Sequence, residues 1–134
     1  MKQAIAEFPS EIGYIRKTSS EILNGLSRCK VTDDKLFEIK LCVEEAVRNA
    51  IVHGNKLDGK KLVKVSYWVD GDRFIIEIED AGEGFDPRKV PDPTVNSNML
   101  KESGRGMFII RKLMDKVDFN SKGNKIRMEK KLWP

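Results

Sequence analysis

The apolar residues Leu36, Ile39, Val43, Ala46, Val47 and Ala50 recur at three- and four-residue steps. Such positions share one face of an α-helix, because 3.6 residues complete a turn. A helix marked in this way must cover that face with another apolar surface, so the chain has to fold in layers. Thr32 or Asp33 can cap the start of this helix, and His53-Gly54-Asn55 mark its end. A second stripe, Ile12, Ile15, Ser19, Ile22, Leu23 and Leu26, predicts an earlier helix with Ser10 as its N-cap.

The surface that covers these helices is legible as strands. Residues 3–8 alternate loosely and predict an edge strand closed by Pro9. Residues 62–69 and 74–79 are β-rich and joined by Asp70-Gly71-Asp72, the pattern of a tight hairpin. Residues 85–103 carry Pro87, Pro91, Pro93, Asn96 and Asn98 without periodicity and predict a loop of about 19 residues, a length often found in functional lids. Residues 106–114 return to helical spacing through Met107, Ile110, Leu113 and Met114. Residues 117–119 and 126–132 predict a closing hairpin around Lys122-Gly123-Asn124. The order strand, helix, helix, two strands, lid, helix, two strands predicts an α+β, two-layer sandwich with its helices on one face of a mostly antiparallel sheet. It is not the strand–helix alternation of a doubly wound fold, and there is no G-x-x-x-x-G-K-[ST] loop.

Composition narrows the classes. With 134 residues, 40% of them hydrophobic, the chain suits one domain over residues 1–134. Charged residues reach 34%, but acids and bases interleave, which argues against wholesale disorder. The net charge of +4 is spread without a long basic tract, so it suits an anionic ligand or an acidic partner better than direct nucleic-acid binding. Cys29 and Cys42 lack CxxC spacing, so neither a disulfide scaffold nor a zinc site is expected, and both are read as buried, reduced thiols. No signal-like or membrane-spanning apolar run is present, and a cytoplasmic location is the default expectation.

Three short segments carry chemistry. Glu45 and Asn49, four apart, project from the same face of the second helix. An asparagine carbonyl oxygen suits magnesium, and the neighbouring carboxylate can take a proton from a hydroxyl. A solvated polar pair is the plainer reading of those two alone. Asp80-Ala81-Gly82-Glu83-Gly84 leaves a strand directly; its glycines allow close approach to a flat ligand, and the Asp80 carboxylate can accept the exocyclic amine of adenine. An ordinary turn is the alternative there. Gly104-Arg105-Gly106 stands where the lid meets a helix, where free N–H groups and the helix dipole favour phosphate and Arg105 adds a cation. A simple capped helix start is the alternative. The three occur in the order base, lid, phosphate, which is what one nucleoside triphosphate site with magnesium requires. His53 is read as a helix C-terminal cap rather than a catalytic group. Arg48 is either a surface residue or a phosphate contact, Trp68 and Trp133 are packing residues, and Met99, Met107 and Met114 fill gaps.

These segments resemble the GHKL ATPases, a superfamily that includes gyrase, MutL, the heat-shock chaperone and histidine-kinase catalytic domains. Glu45-Ala46-Val47-Arg48-Asn49-Ala50 matches the N box, Asp80-Ala81-Gly82-Glu83-Gly84 the first glycine box, and Gly104-Arg105-Gly106-Met107 the second. The run Asn49-Ala50-Ile51-Val52-His53-Gly54-Asn55, the ending Ile109-Ile110-Arg111-Lys112-Leu113-Met114-Asp115 and the short length look most like bacterial anti-sigma factor serine kinases. The resemblance implies ATP and magnesium as cofactors, with Asn49 on the metal and Glu45 as general base. It implies that Asp80 reads adenine, and that Gly82, Gly84, Gly104 and Gly106 shape the pocket and lid. It further implies a homodimer that binds a sigma factor and phosphorylates a serine of an anti-anti-sigma partner. One departure stands out: where the family's last hairpin often carries a threonine near the adenine, this chain has Gly123-Asn124-Lys125. A nucleotide-responsive binding module without phosphoryl transfer, and a stand-alone histidine-kinase-like domain, are the competing functions.

Overall fold

The computed structural model describes residues 3–83 and 102–133. Strand β1 (Ala4–Pro9) leads into helices α1 (Gly13–Leu26) and α2 (Asp33–Arg48), and α2 runs on through a wider, π-type turn at Asn49–Gly54. Strands β2 (Leu62–Asp70) and β3 (Arg73–Glu79) follow, then α3 (Glu102–Leu113), β4 (Lys116–Phe119) and β5 (Lys125–Lys131). The five strands form one sheet in the order β1-β2-β3-β5-β4, antiparallel at every pairing. The expected α+β sandwich is the observed one.

Alternation explains which sheet face meets the helices. Val63 and Val65 on β2, Phe74, Ile76 and Ile78 on β3, and Ile126 and Met128 on β5 are buried. Against them lie Ile15, Ile22 and Leu26 of α1, Ile39, Val43, Ala46 and Val47 of α2, and Met107 and Ile110 of α3, all in one core. Full burial of each large aliphatic side chain contributes about 1.5–3 kcal/mol, so this shared core holds the two layers together. Ser66, Glu77, Arg127 and Glu129 point to the other face, where Arg127 pairs with Glu77 and Glu129 at 3.4 Å and its guanidinium lies 5.6 Å from the Trp68 ring centre.

Local signals set the boundaries. Thr32 caps α2 as expected, its Oγ1 accepting the Lys35 N–H at 3.3 Å, and Asp33 and Asp34 favour the positive end of the helix. The β2–β3 turn places Gly71 at φ +60°, a conformation that glycine adopts without steric cost. Lys130 Nζ pairs with Glu38 at 2.7 Å and donates to the last α3 carbonyl, that of Leu113, tying α3 to α2 and the sheet.

Three expectations change, and a fourth lies mostly outside the described residues. Ser10 does not cap α1: its hydroxyl donates to Lys61 O at 2.7 Å and accepts from Asn55 Nδ2 at 2.8 Å, and α1 starts at Gly13 without a side-chain cap. Helix α3 begins at Glu102 rather than at Gly106, so Gly104-Arg105-Gly106 occupies its first two turns. Most of the connection expected over residues 85–103 falls outside the described residues, as do Gly84 and Met99. Cys42 is buried, but Cys29 is only half-buried.

Candidate functional site

The two halves of the predicted site meet along one helix. In α2, Glu45 sits four residues before Asn49, at the point where the regular helix gives way to the π-type turn. The Glu45 side chain is 19% exposed, and its Oε1 accepts from Arg48 Nη1 at 3.1 Å. Arg48 is therefore the partner of the carboxylate. Asn49 Oδ1 is buried and is the one such side-chain atom without a hydrogen-bond partner among the described residues. A buried carbonyl oxygen without a partner costs about 1–3 kcal/mol and marks a place where a ligand can complete the bonding. π-type turns within helices are themselves frequent at functional sites.

Helix α3 closes this end. Gly106 lies against Glu45 and Asn49, where a Cβ would stand 2.7 Å from Glu45 Oε2 and 3.5 Å from Asn49 Nδ2. The N–H groups of Gly104 and Arg105 belong to the first four of α3, which have no partner within a helix and suit an anion. Arg105 is exposed, whereas Met107 is buried in the core. The structure thus brings Glu45, Asn49 and Gly106 together.

The other end is built by the exit of β3. Asp80 Oδ1 accepts the Gly82 N–H at 2.8 Å, which turns the chain back on itself. Burial pushes the Asp80 carboxyl above its ordinary value; the Gly82 N–H works against that rise, Glu79 with it, and Lys122 and Lys61 against it. Gly54, the last residue of the π-type turn, packs on the Asp80 carboxylate, and a Cβ on it would collide with that group. A Cβ on Gly82 would likewise collide with the Gly54 carbonyl. The π-type turn therefore starts at the orphaned oxygen of Asn49 and ends beneath Asp80.

Three residues that the sequence did not flag as site residues also touch this loop. Asn55 Oδ1 accepts the Ala81 N–H at 2.8 Å. Asn124 accepts the Asp80 N–H on its carbonyl and donates from Nδ2 to the Asp80 carbonyl, each at 2.9 Å. Gly54 supplies the floor. In the sequence Gly54 and Asn55 mark a helix end and belong to the run that carries the family resemblance, and neither signal gives them a site role. His53 is exposed in the last turn, as expected of a cap.

A magnesium ion fits the donor set. Among the described residues no group of three His, Cys, Asp or Glu side chains is assembled that could cage a metal. Magnesium does not need one, because it commonly takes one or two protein oxygens and completes its shell with waters and substrate phosphates. The orphaned Asn49 Oδ1 is an oxygen of that kind. No helix among the described residues is long and apolar enough to cross a membrane.

Comparison with known proteins agrees with this geometry. The family model described as "Histidine kinase-like ATPase domain" matches residues 8–130. The chain is 33% identical over 131 residues to the Serine-protein kinase RsbW of Bacillus subtilis, covering 92% of this chain and 80% of that protein. It is 36% identical over 125 residues to an Anti-sigma F factor of Clostridium perfringens, covering 90% of this chain and 87% of that protein. A crystal structure of the RsbU and RsbW domains of a Mycobacterium tuberculosis protein superposes with a TM-score of 0.68 at 14% identity. That match takes in 100% of this chain and 34% of the other, and at such identity it speaks for the fold alone. With its motifs, topology and family match in agreement, the chain belongs to the histidine kinase-like ATPase family.

Proposed function

We propose that this chain binds ATP with magnesium, transfers the γ-phosphoryl group to a serine of an anti-anti-sigma partner, and sequesters a sigma factor. The observation that carries the reading is the pairing, one helical turn apart, of the Glu45 carboxylate with the buried, unpartnered Asn49 Oδ1 under Gly106. Support for the protein partners comes from relatives that bear the names serine-protein kinase and anti-sigma factor.

In this reading Asp80 accepts the exocyclic amine of adenine on a carboxylate oriented by Gly82. The first N–H groups of α3, with Arg105 beside them, receive phosphate oxygens. Asn49 Oδ1 would hold the magnesium, which would supply positive charge to offset that of the phosphates. Glu45 takes the proton from the acceptor hydroxyl as its oxygen bonds to the γ-phosphorus and the bond to the β-phosphate oxygen breaks. Most of the acceleration in such reactions comes from positioning and charge stabilisation. A homodimer is part of the proposal.

The test is incubation with ATP labelled in its γ-phosphate, magnesium and a candidate anti-anti-sigma protein, followed by phosphosite mapping. Label on a serine of the partner is expected; a partner that binds but stays unlabelled overturns the kinase reading. One observation favours a second reading, a nucleotide-responsive binding module without transfer: Glu45 is already paired with Arg48 at 3.1 Å. In that case nucleotide changes partner affinity while no label moves.

A further inference from the structure

Two asparagines far apart in the chain hold the main chain on either side of the Asp80 carboxylate. Asn55 is 1% exposed, and its amide is fully engaged inside the fold. Its Oδ1 accepts the Ala81 N–H at 2.8 Å, and its Nδ2 donates to Ser10 Oγ at 2.8 Å and to Leu62 O at 3.1 Å. Ser10 in turn donates to Lys61 O at 2.7 Å. One side chain thereby ties the glycine loop to the end of β1 and the start of β2.

Asn124 does the same from the β4–β5 turn. Its carbonyl accepts the Asp80 N–H and its Nδ2 donates to the Asp80 carbonyl, both at 2.9 Å. Asn120 braces it: Nδ2 donates to Asn124 Oδ1 at 2.7 Å, and Oδ1 accepts the N–H groups of Gly123, Asn124 and Lys125. The backbone N–H and C=O of Asp80 and the N–H of Ala81 are therefore all held by two residues from different elements. Asp80 Oδ1 is committed to Gly82, and Oδ2 has no hydrogen-bond partner among the described residues.

We propose that Asn55 and Asn124 are positioning residues that give the site its preference for a base with an exocyclic amine, by fixing the main chain from which Asp80 presents its carboxylate. The proposal rests on the nucleotide reading above and deepens it. A single hydrogen bond discriminates between bases only if its acceptor is held to within about half an ångström, and a carboxylate on a short glycine loop is not held so by its own segment. Asn124 lies in the turn between β4 and β5. Here its amide is spent on the Asp80 backbone, so discrimination passes through Asp80.

The test compares ATP with inosine triphosphate, which has a carbonyl oxygen where adenine has its amine, both with magnesium in titration calorimetry. Wild type is expected to prefer ATP. Asn124→Ala, at a half-exposed turn, is expected to lose about tenfold in ATP affinity, the scale of one hydrogen bond to a charged group. Inosine triphosphate should bind it as it binds wild type, so that the ratio falls to that of Asp80→Ala. Asn55→Ala should do the same; if it fails to fold in thermal melts, Ser10→Ala, which removes the far partner of the Asn55 amide together with the bond to Lys61 O, takes its place with a smaller loss. A purely structural role weakens both nucleotides alike and leaves the ratio unchanged, which would overturn the proposal while the nucleotide reading stands. Equal binding of the two by wild type overturns the adenine reading itself, and the proposal with it.

Discussion

Gly106 meets Glu45 so closely that a side chain there would displace the carboxylate: a Cβ would lie 2.7 Å from Oε2, while Oε1 is held by Arg48. Gly106→Ala therefore sets a local gain against a local clash. Alanine favours a helix interior by about 1 kcal/mol over glycine, yet here the carboxylate must move out of line. The melting temperature is expected to stay near that of wild type, while phosphoryl transfer falls at least about tenfold, a change that 1.4 kcal/mol of misplacement produces. Thermal melts and a transfer assay on the same preparation check both halves.

Glu45→Gln keeps size and shape but removes the proton acceptor. ATP affinity should stay within about twofold of wild type while transfer drops by roughly 100-fold or more, the usual contribution of a general base. Filter binding and transfer assays read the two separately. Undiminished transfer would mean that Glu45 is not the base.

Asn49→Ala should separate stability from binding. Removing a buried oxygen that lacks a partner relieves a desolvation cost, so the ligand-free protein is expected to melt no lower than wild type. Magnesium-dependent ATP affinity should fall about tenfold or more. Titrations with magnesium and with EDTA provide the check: an unchanged magnesium dependence refutes the assignment.

Asp80 predicts a pH effect of definite sign. Burial raises its carboxyl above the ordinary 3.8, so the folded chain holds that proton more tightly than the unfolded chain does. Through the window from 3.8 up to the raised folded value, the folded state binds more protons, and Asp80's contribution to stability increases as pH falls and declines as pH rises. Base reading runs the other way, because only the ionised carboxylate accepts the amine well. On acidification through that window, beginning above the ordinary carboxylate range, ATP affinity should drop by about tenfold more than inosine triphosphate affinity. Asp80→Asn should flatten the ATP profile and raise the melting temperature at neutral pH.

The two thiols should label in sequence. Burial pushes the Cys42 thiol up to about 12, with Lys130 acting against that rise and Glu38 and Glu45 adding to it. Buried and protonated, it is expected to resist iodoacetamide until the chain unfolds, whereas half-buried Cys29 reacts in the native state. Peptide mapping after labelling, with and without denaturant, distinguishes them.

The parts of this molecule that local pattern encodes were readable in advance. The stripe from Leu36 to Ala50, the Gly71 turn and the alternation of Val63, Val65, Phe74, Ile76 and Ile78 each follow from a period of 3.6 or 2 and a turn residue. The proximity of Glu45 and Asn49 followed from their spacing. The support beneath the base end did not, because it consists of contacts between distant residues: Ser10 with Asn55, 45 apart, and Asn124 with Asp80, 44 apart. Ser10 after Pro9 carries the local signature of an N-cap, and the tertiary partners Lys61 and Asn55 took its hydroxyl instead. No hydrophobic period announces a π-type turn, so the helix end at Gly54 looked like an ordinary cap. The start of α3 was read too late because two glycines lower local helix propensity, and packing against α2 overrides that.

The π-type turn at Asn49–Gly54 has one consequence of scale. Each residue of a regular helix advances the chain by about 100° around the axis, so one extra residue in a turn re-aims everything after it. In the proposed site the turn begins at the oxygen for the metal and ends at the floor for the base. In that proposal the spacing between the metal end and the base end would be set by six residues of backbone rather than by the side chains at either end.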